Sequence, residues 1–225
     1  MKKIITSSLL PENIVDELRI LGYECVKGFK SSLIDDETAY HPDMLFYKLK
    51  SGKLLSSATV ENVNKLDTIF SKIAPQGKYP NDCIFNCFFA KNSLICGRSV
   101  AEEIVEDAIK ANLKISIVRQ GYCACSTIKL NDSAFISSDA GIVNALKSTG
   151  HDALLVSNDG IKLNGYNNGF IGGCALSINN IVAFTGVIER HKDYKNIKSF
   201  SNNFGKTLIS LSKDDLYDYG GFIEL

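Results

Sequence analysis

Five segments that begin with a tyrosine recur along the chain, and this repeat constrains the fold more than any other feature. Each segment passes through two or three small or polar residues and then enters an apolar strand. The five tyrosines are Tyr40, Tyr79, Tyr122, Tyr166 and Tyr219. They stand roughly 40 to 50 residues apart, a period typical of propellers and other repeat folds. The interval from Tyr219 through the C-terminus and on from Met1 to Tyr40 is similar. Five equal units therefore fit only if the chain closes on itself.

Each unit continues in the same order after its tyrosine: a strand, a turn, a second apolar strand, a helix and a third strand. Turn-forming residues separate the first two strands at Ser51-Gly52, Lys91-Asn92, Asn131-Asp132 and Asn179-Asn180. In the remaining unit the two chain ends replace the turn, and residues 222–225 are expected to pair with residues 3–6.

Helices are predicted after each second strand. One helix is expected to begin at Ser99-Val100-Ala101-Glu102, which has the spacing of a capping box. The other four are expected over residues 13–21, 60–73 and 140–146 and in the segment between His191 and Gly205. Residues 74–78 form a poor third strand for the unit that begins at Tyr40.

The predicted fold is a five-bladed, pseudo-symmetric α/β propeller of ββαβ modules around a central channel. Helices cover the outside and the first strands line the channel. A chain of 225 residues with 45% apolar residues can bury a sizeable core, and we expect one domain over residues 1–225. The alternative is two unrelated α+β domains whose tyrosine spacing is accidental.

The charge balance argues against two classes of partner. Lys and Arg together number 25, as do Asp and Glu, so the formal net charge is zero. Neither nucleic acid nor an anionic membrane surface is expected as a partner. The uncharged stretch from Gly169 to Ile188 is long enough to span a bilayer, but it carries Asn179-Asn180 at its midpoint. A β-hairpin turning at these two residues is expected instead of a membrane span.

The seven cysteines are an odd number without regular spacing, which favours reduced thiols in a cytoplasmic protein. Met1-Lys2-Lys3 leads only into a short apolar run, unlike a secretory signal. The pair Cys123-x-Cys125 has one intervening residue, whereas zinc knuckles use two to four, and only Cys174 or His41 would complete a tetrahedral site. We expect neither a metal nor another cofactor.

Two short motifs resemble one enzyme group. Pro42-Asp43-Met44-Leu45-Phe46 is similar to the Pro-Asp-x-apolar-Phe strand of dimethylargininases, and Gly220-Gly221-Phe222-Ile223 resembles their glycine-rich last strand. With its five modules the chain resembles the pentein, or guanidino-group-modifying enzyme, fold, and is identified as a member of a bacterial family of that fold. The group includes arginine deiminase, agmatine deiminase, amidinotransferase-like hydrolases and a non-catalytic ribosome anti-association factor. The resemblance implies a cysteine nucleophile, a histidine that moves protons, and carboxylates that bind the guanidinium.

The positions that the resemblance implies are only partly retained. Asp43 matches a substrate-side aspartate, but the Glu-Asp pair expected a few residues later is Lys48-Leu49. The catalytic histidine falls on Tyr122 or Cys123, and the nucleophilic cysteine falls on Glu224. Standard guanidine hydrolysis therefore does not follow from the resemblance.

Equivalent positions of the five tyrosine segments are expected to meet at one end of the channel, with alternate residues facing inward. On this basis Asp43, Asp82 and Cys125 converge, with His41 and Cys123 nearby. The predicted substrate-binding residues are Asp43, Asp82, His41, Cys123, Asn168 and Glu224. The predicted reactive thiols are those of Cys125 and Cys174. The alternatives are that these cysteines are small buried hydrophobes and that Asp82 only forms a turn with Asn81.

Two hypotheses about function follow. In the first, the protein binds a small cationic, guanidine- or amidine-like metabolite and is a divergent cysteine-dependent hydrolase. In the second, it is a catalytically inactive pentein that binds a small ligand or a protein partner. The altered positions favour the second hypothesis, whereas the converging carboxylates and thiols keep the first one open.

Overall fold

The computed structural model describes every residue from Met1 to Leu225. In chain order the strands are β1 (Lys2–Ile5), β2 (Tyr23–Val26), β3 (Phe46–Lys48), β4 (Leu54–Ser56), β5 (Thr68–Phe70), β6 (Phe88–Phe89), β7 (Ser93–Cys96), β8 (Lys114–Ile117), β9 (Thr127–Lys129), β10 (Ala134–Ser137), β11 (Asp152–Leu155), β12 (Ala175–Ile178), β13 (Ile181–Phe184), β14 (Thr207–Ser210) and β15 (Ile223–Glu224). The α-helices are α1 (Glu12–Ile20), α2 (Pro42–Leu45), α3 (Glu102–Lys110), α4 (Ala140–Ser148) and α5 (Tyr194–Asn203). Short 3₁₀ turns lie at Val63–Lys65, Gly172–Cys174 and Ile188–Arg190.

The strands form five separate three-stranded sheets, which confirms the predicted five-module α/β architecture. We number the modules by their sheets: β15-β1-β2 is module 1, β3-β4-β5 module 2, β6-β7-β8 module 3, β9-β10-β11 module 4 and β12-β13-β14 module 5. In every sheet the middle strand is antiparallel to the first strand and parallel to the third. This is the ββαβ order that the repeat predicts.

The two chain ends join in module 1. Strand β15 runs antiparallel to β1, with Ile4 opposite Glu224 and Ile5 opposite Ile223. The Leu225 amide also donates a hydrogen bond to the Lys3 carbonyl oxygen at 3.0 Å. The predicted pairing of the C-terminal and N-terminal segments is therefore confirmed. It places the end of the chain beside its beginning without any covalent link.

The hydrophobic core consists of five clusters, and each contains residues of two neighbouring modules. Shared clusters contain Ile5 with Leu54 (modules 1 and 2), Leu55 with Leu94 (2 and 3), Ile95 with Phe135 (3 and 4), Ile136 with Val182 (4 and 5), and Leu176 with Ile4 (5 and 1). No sheet continues into its neighbour, so apolar burial between modules provides most of the force that holds the ring together.

The hairpin prediction for the uncharged C-terminal stretch is also confirmed. Strands β12 and β13 pair antiparallel, and Asn179 adopts a left-handed φ of 45° in the turn between them. Asparagine tolerates this conformation because its short polar side chain bonds locally. No helix of the structure combines the length and the apolar character that crossing a bilayer requires.

Module 2 departs from the prediction, because the helix expected over residues 60–73 does not form. Asn62 has a left-handed φ of 60°, only the 3₁₀ turn Val63–Lys65 follows, and the third strand is β5. The segment buries just Val60 and Val63, which is too little apolar surface for a helix of that length. The weak third strand predicted at residues 74–78 does not form, because β5 is the third strand of this module.

Two helix starts also differ from the sequence-based expectation. Helix α3 begins at Glu102 with Ala101 at its N-cap and no side-chain cap, so the capping box at Ser99 is not formed. Residues 42–45 were expected in a strand but form the one-turn helix α2, with Pro42 in its first turn, where proline is tolerated. Helix α4 does begin as expected, since Asp139 Oδ1 accepts a hydrogen bond from the Ile142 amide at 2.8 Å.

Candidate functional site

A cavity of about 350 Å³ lies on the ring axis, lined by the first strands of all five modules and by the residues just before them. We call it the central cavity. Its buried lining residues include Asp43, Phe85, Gly172 and Gly221. Its polar lining residues with more exposure lie at or near the far ends of the first strands: Lys48, Lys129, Ser177 and Glu224. A cavity of this size matches the small-molecule sites of other proteins.

Asp43 is the acidic group at the buried end of the central cavity. It lies in α2, and its amide donates to the Gly220 carbonyl oxygen at 3.1 Å, which ties α2 to the C-terminal segment. Only 8% of the residue is exposed. Asp43 Oδ2 accepts a hydrogen bond from Cys125 Sγ at 2.8 Å, whereas Oδ1 is buried and has no hydrogen-bond partner. Asp43 therefore retains a free acceptor.

Asn86, which the sequence analysis missed, positions the Cys125 thiol next to Asp43. Asn86 Nδ2 donates to Cys125 Sγ at 3.0 Å, and Asn86 Oδ1 accepts from the amides of Ala124 and Cys125 at 2.8 and 3.1 Å. Asn86 is 1% exposed and lies between two apolar residues of module 3. That isolated polar position in an apolar run was the available signal. Cys125 itself is absent from the lining of the central cavity.

Asp218 is a second buried carboxylate close to the first. Its Oδ1 accepts a hydrogen bond from the Gly220 amide at 2.9 Å, and its Oδ2 accepts one from Phe170 at 2.8 Å. His41 Nδ1 lies 3.9 Å from Asp218 Oδ1, beyond hydrogen-bond distance, and has no partner. Sequence reasoning did not single out Asp218, although it directly precedes the last tyrosine segment.

Burial dominates the electrostatics of this group. It raises the pKa of Asp43 well above its ordinary value, and the nearby Asp218 charge raises it further. Burial and the Asp43 charge likewise raise the pKa of the Cys125 thiol, while burial lowers the pKa of His41. No lysine or arginine forms an ion pair with Asp43 or Asp218. A cation bound here would meet buried carboxylates that lack a positive partner.

Of the residues predicted to converge, the structure brings together His41, Asp43 and Cys125. The ligand atoms of these three residues lie within 4.8 Å of one another, as a site for a metal ion requires. Asp82 is not part of this group, and its Oδ2 accepts a hydrogen bond from the Tyr122 hydroxyl at 2.6 Å. Cys123 Sγ donates to the Gln120 carbonyl oxygen at 2.9 Å and packs in a hydrophobic cluster.

The remaining predicted residues lie outside the cluster of His41, Asp43 and Cys125. Cys174 is in the core, where its Sγ donates to the Ile171 carbonyl oxygen at 3.1 Å, and burial raises its pKa well above the usual value. Asn168 is exposed and lines a separate surface cavity with Asp159 and Asp215. Glu224 lines the more exposed end of the central cavity, and its Oε1 accepts from the Tyr23 hydroxyl at 2.7 Å.

The arrangement predicts slow thiol modification. Six of the seven cysteines are buried and only Cys25 is partly exposed. In native protein we expect Cys25 to react first with a maleimide, and Cys125 roughly tenfold or more slowly, because its modification requires local opening. Peptide mass spectrometry over a time course measures both rates, with a Cys25→Ser variant as control. Fast labelling of Cys125 would contradict the described burial and favour an accessible nucleophile.

Sequence comparison places the chain in one family. The model of a family of unknown function, DUF6873, matches residues 5–223. No curated protein matches the chain.

Several solved structures share this fold, and their names include a DDAH, an agmatine deiminase and amidinotransferases. DDAH from Pseudomonas aeruginosa, complexed with citrulline, is 9% identical with a TM-score of 0.58, covering 100% of this chain and 99% of that one. An inosamine-phosphate amidinotransferase from Streptomyces griseus is 9% identical with a TM-score of 0.54, covering 100% and 93%. The agmatine deiminase of C. jejuni is 11% identical with a TM-score of 0.52, covering 94% and 87%. At these identities the comparison establishes the fold, and the resemblance to the pentein group is confirmed.

Proposed function

The chain belongs to the family of unknown function DUF6873, and we propose that this member binds a small cationic, guanidine- or amidine-like metabolite in its central cavity. The observation that carries the proposal is Asp43, which lines the buried part of that cavity and whose Oδ1 has no hydrogen-bond partner. A buried acceptor without a donor is unfavourable until a ligand supplies one. The ligand group that best fits a carboxylate is a planar cation with several N–H donors.

Charge supports a cation over a neutral ligand. Asp43 and Asp218 are both buried, and no lysine or arginine pairs with either of them. A guanidinium or amidinium would supply the missing positive charge as well as the hydrogen bonds. A neutral ligand of the same shape supplies only the hydrogen bonds, so it should bind more weakly.

The walls of the central cavity suit a flat cation. Phe85, Phe88 and Phe222 contribute aromatic surface to its lining. Aromatic faces attract cations electrostatically, by about 0.5 to 2 kcal/mol for each favourable contact. The names of the similar structures support the same chemical class, since they include an agmatine deiminase and an amidinotransferase.

A cysteine-dependent hydrolase is the second candidate, favoured by the 2.8 Å hydrogen bond from Cys125 Sγ to Asp43 Oδ2. In such a reaction the thiol proton would pass to Asp43, and the sulfur would bond to the amidine carbon. The amine would leave with a proton, and water would then hydrolyse the carbon–sulfur bond. Because Cys125 is not in the cavity lining and burial raises its pKa, we place binding first.

A thermal-shift screen with arginine, agmatine and methylarginines tests the proposal, with citrulline as the uncharged comparator. We expect at least one of these cations to raise the melting temperature. A ligand at a hundred times its Kd stabilises the folded state by about 2.7 kcal/mol, which corresponds to a rise of about 5 to 11 °C for a chain of this size. Citrulline should have a smaller effect. If no cation changes the melting temperature, the proposal fails and a protein partner becomes the better hypothesis.

A further inference from the structure

We propose that His41, Asp43 and Cys125 form a binding site for a divalent transition-metal ion of the zinc type. Each residue offers one ligand atom, and these atoms all lie within 4.8 Å of one another. An imidazole nitrogen, a carboxylate oxygen and a thiolate sulfur are the three ligand types that zinc takes in proteins. This inference does not rest on the proposed function, but both concern Asp43: a metal ion and a guanidinium at that carboxylate are alternatives, and separate titrations distinguish them.

Unpartnered buried atoms point to a missing ligand at this cluster. His41 is 3% exposed and its Nδ1 has no hydrogen-bond partner, and Asp43 Oδ1 has none either. Nearly all buried polar groups in native proteins are satisfied, so two orphaned atoms in one small cluster require an explanation. A bound metal ion is a fitting partner, since ligand atoms of His41 and Asp43 lie within 4.8 Å of each other.

The backbone holds the three residues in place. His41 directly precedes α2, Asp43 lies within it, and the Asp43 amide is bonded to the Gly220 carbonyl oxygen. The Cys125 amide is bonded to Asn86 Oδ1. A Cβ at Gly220 would lie 2.2 Å from His41 Cβ, so the glycine lets the C-terminal segment pack directly on the histidine. Hydrogen bonds to the backbone therefore hold in place the segments that carry the three ligand residues.

The spacing allows tetrahedral coordination with small side-chain adjustments. With zinc bonds of about 2.0 to 2.3 Å, ligand atoms in a tetrahedral site lie about 3.3 to 3.7 Å apart. The ligand atoms lie within 4.8 Å of one another, and Cys125 Sγ is 2.8 Å from Asp43 Oδ2. Metal binding therefore requires this sulfur and the carboxylate to separate by rotation about their side-chain bonds. Three protein ligands leave the fourth position for water or a cavity ligand, since Asp43 lines the central cavity.

The charge balance of binding is simple. The metal takes the place of the Cys125 thiol proton and of the proton that a protonated Asp43 carries. These protons are released to solvent, and no oxidant or reductant takes part. The ion is then coordinated by one thiolate, one carboxylate and one neutral imidazole, so the ion and its ligands together are neutral. The additional carboxylate of Asp218, whose Oδ1 is 3.9 Å from His41 Nδ1, further favours a cation.

Titration of metal-free, full-length protein with Co²⁺ tests the site. Cobalt bound by a thiolate in a tetrahedral site produces a charge-transfer band in the near ultraviolet and intense visible bands. We expect both, saturating at one ion per chain and removed by an equivalent of Zn²⁺. Absence of the thiolate band would overturn the proposal, whether or not the protein binds guanidine-type cations in a separate titration.

Variants locate the ion. In Cys125→Ser the thiolate band should disappear. In His41→Gln, which removes a direct ligand, the affinity for Co²⁺ should fall by at least the roughly hundredfold that loss of an outer-shell partner costs, while the band remains at saturation. The matched control is Cys123→Ala, which removes a buried thiol two positions away that bonds to Gln120 instead. Circular dichroism establishes that each variant is folded. If Cys125→Ser does not fold, the His41→Gln result decides. An unchanged affinity in folded His41→Gln, or loss of the band in Cys123→Ala, would contradict the site.

Discussion

Replacement of Asp43 by asparagine is expected to abolish binding of guanidine-type cations while leaving the protein folded. The substitution removes the charge that lies at the buried end of the central cavity and keeps the shape of the side chain. Losing one partner of a buried ion pair typically costs about 3 to 5 kcal/mol, more than about a hundredfold in Kd. Isothermal titration calorimetry with agmatine, at equal protein concentrations, measures this loss.

The free protein should not suffer from the same change. Burial and Asp218 raise the pKa of Asp43, so its charged form is unfavourable in the folded state before a ligand binds. An asparagine removes that penalty, and the free energy of unfolding is expected to stay equal or to rise. Urea denaturation of both proteins therefore separates a binding defect from a folding defect.

Asp82→Asn is the matched control for this experiment. Asp82 is also a buried aspartate preceding a first strand, but its carboxylate accepts the Tyr122 hydroxyl and does not line the central cavity. We expect agmatine to bind this variant with unchanged Kd. Unchanged binding in Asp43→Asn, or lost binding in folded Asp82→Asn, would show that the cation site is elsewhere.

The second large effect concerns stability. Gly172→Ala is expected to destabilise the fold by about 3 kcal/mol or more, at the upper end of overpacking effects. A Cβ at this position would lie 2.4, 2.5 and 2.7 Å from the carbonyl oxygens of Ala124, Thr127 and Cys125. All three atoms belong to the backbone, so no side-chain rotation relieves the clash. Urea unfolding followed by circular dichroism measures the change.

The clash would also displace the Cys125 turn. The amides of Gly172 and Gly173 both donate to the Cys125 carbonyl oxygen, at 2.7 and 3.1 Å. Gly141→Ala is the control, since its Cβ would meet only Asp139 Oδ1 at 3.0 Å in helix α4, where alanine is the better helix former. That variant should differ from wild type by about 1 kcal/mol or less. A Gly172→Ala protein of wild-type stability would contradict the packing of modules 4 and 5 described above.

The fold could be predicted because each module repeats the same local signals. Turn residues such as Asn179-Asn180 separate apolar strands, and Ile4 and Ile5 follow the charged start of β1 with both side chains buried. These signals recur in five places, so an error in one module did not change the overall solution. The one wrong prediction of a helix concerns module 2 alone. There the left-handed φ of Asn62 interrupts a helix, and the segment buries too few apolar residues to stabilise one.

The site was harder to predict because its residues come from different modules. The expectation of alternating inward residues treats the few residues after each tyrosine as extended, in line with the strand that follows. Residues 42–45 instead form α2, and β9 begins only at Thr127, after a turn that contains Cys123 and Cys125. Two-residue alternation does not apply inside a turn, so only one of these two cysteines joins the cluster.

Asn86 and Asp218 could not be identified from spacing at all. Asn86 contacts Cys125 across 39 positions of sequence, and Asp218 contacts Phe170 across 48. Both side chains act by bonding to the backbone of another module, and such contacts leave no periodic pattern in one sequence. Their importance follows from burial and hydrogen bonding, which only the folded chain provides.

A crystal structure of the protein with agmatine tests the central claim most directly. The account predicts the guanidinium group within hydrogen-bond distance of Asp43 Oδ1, among the phenylalanines of the central cavity. Agmatine bound instead in the surface cavity beside Asp159 and Asp215, or an empty central cavity at saturating ligand, would contradict it.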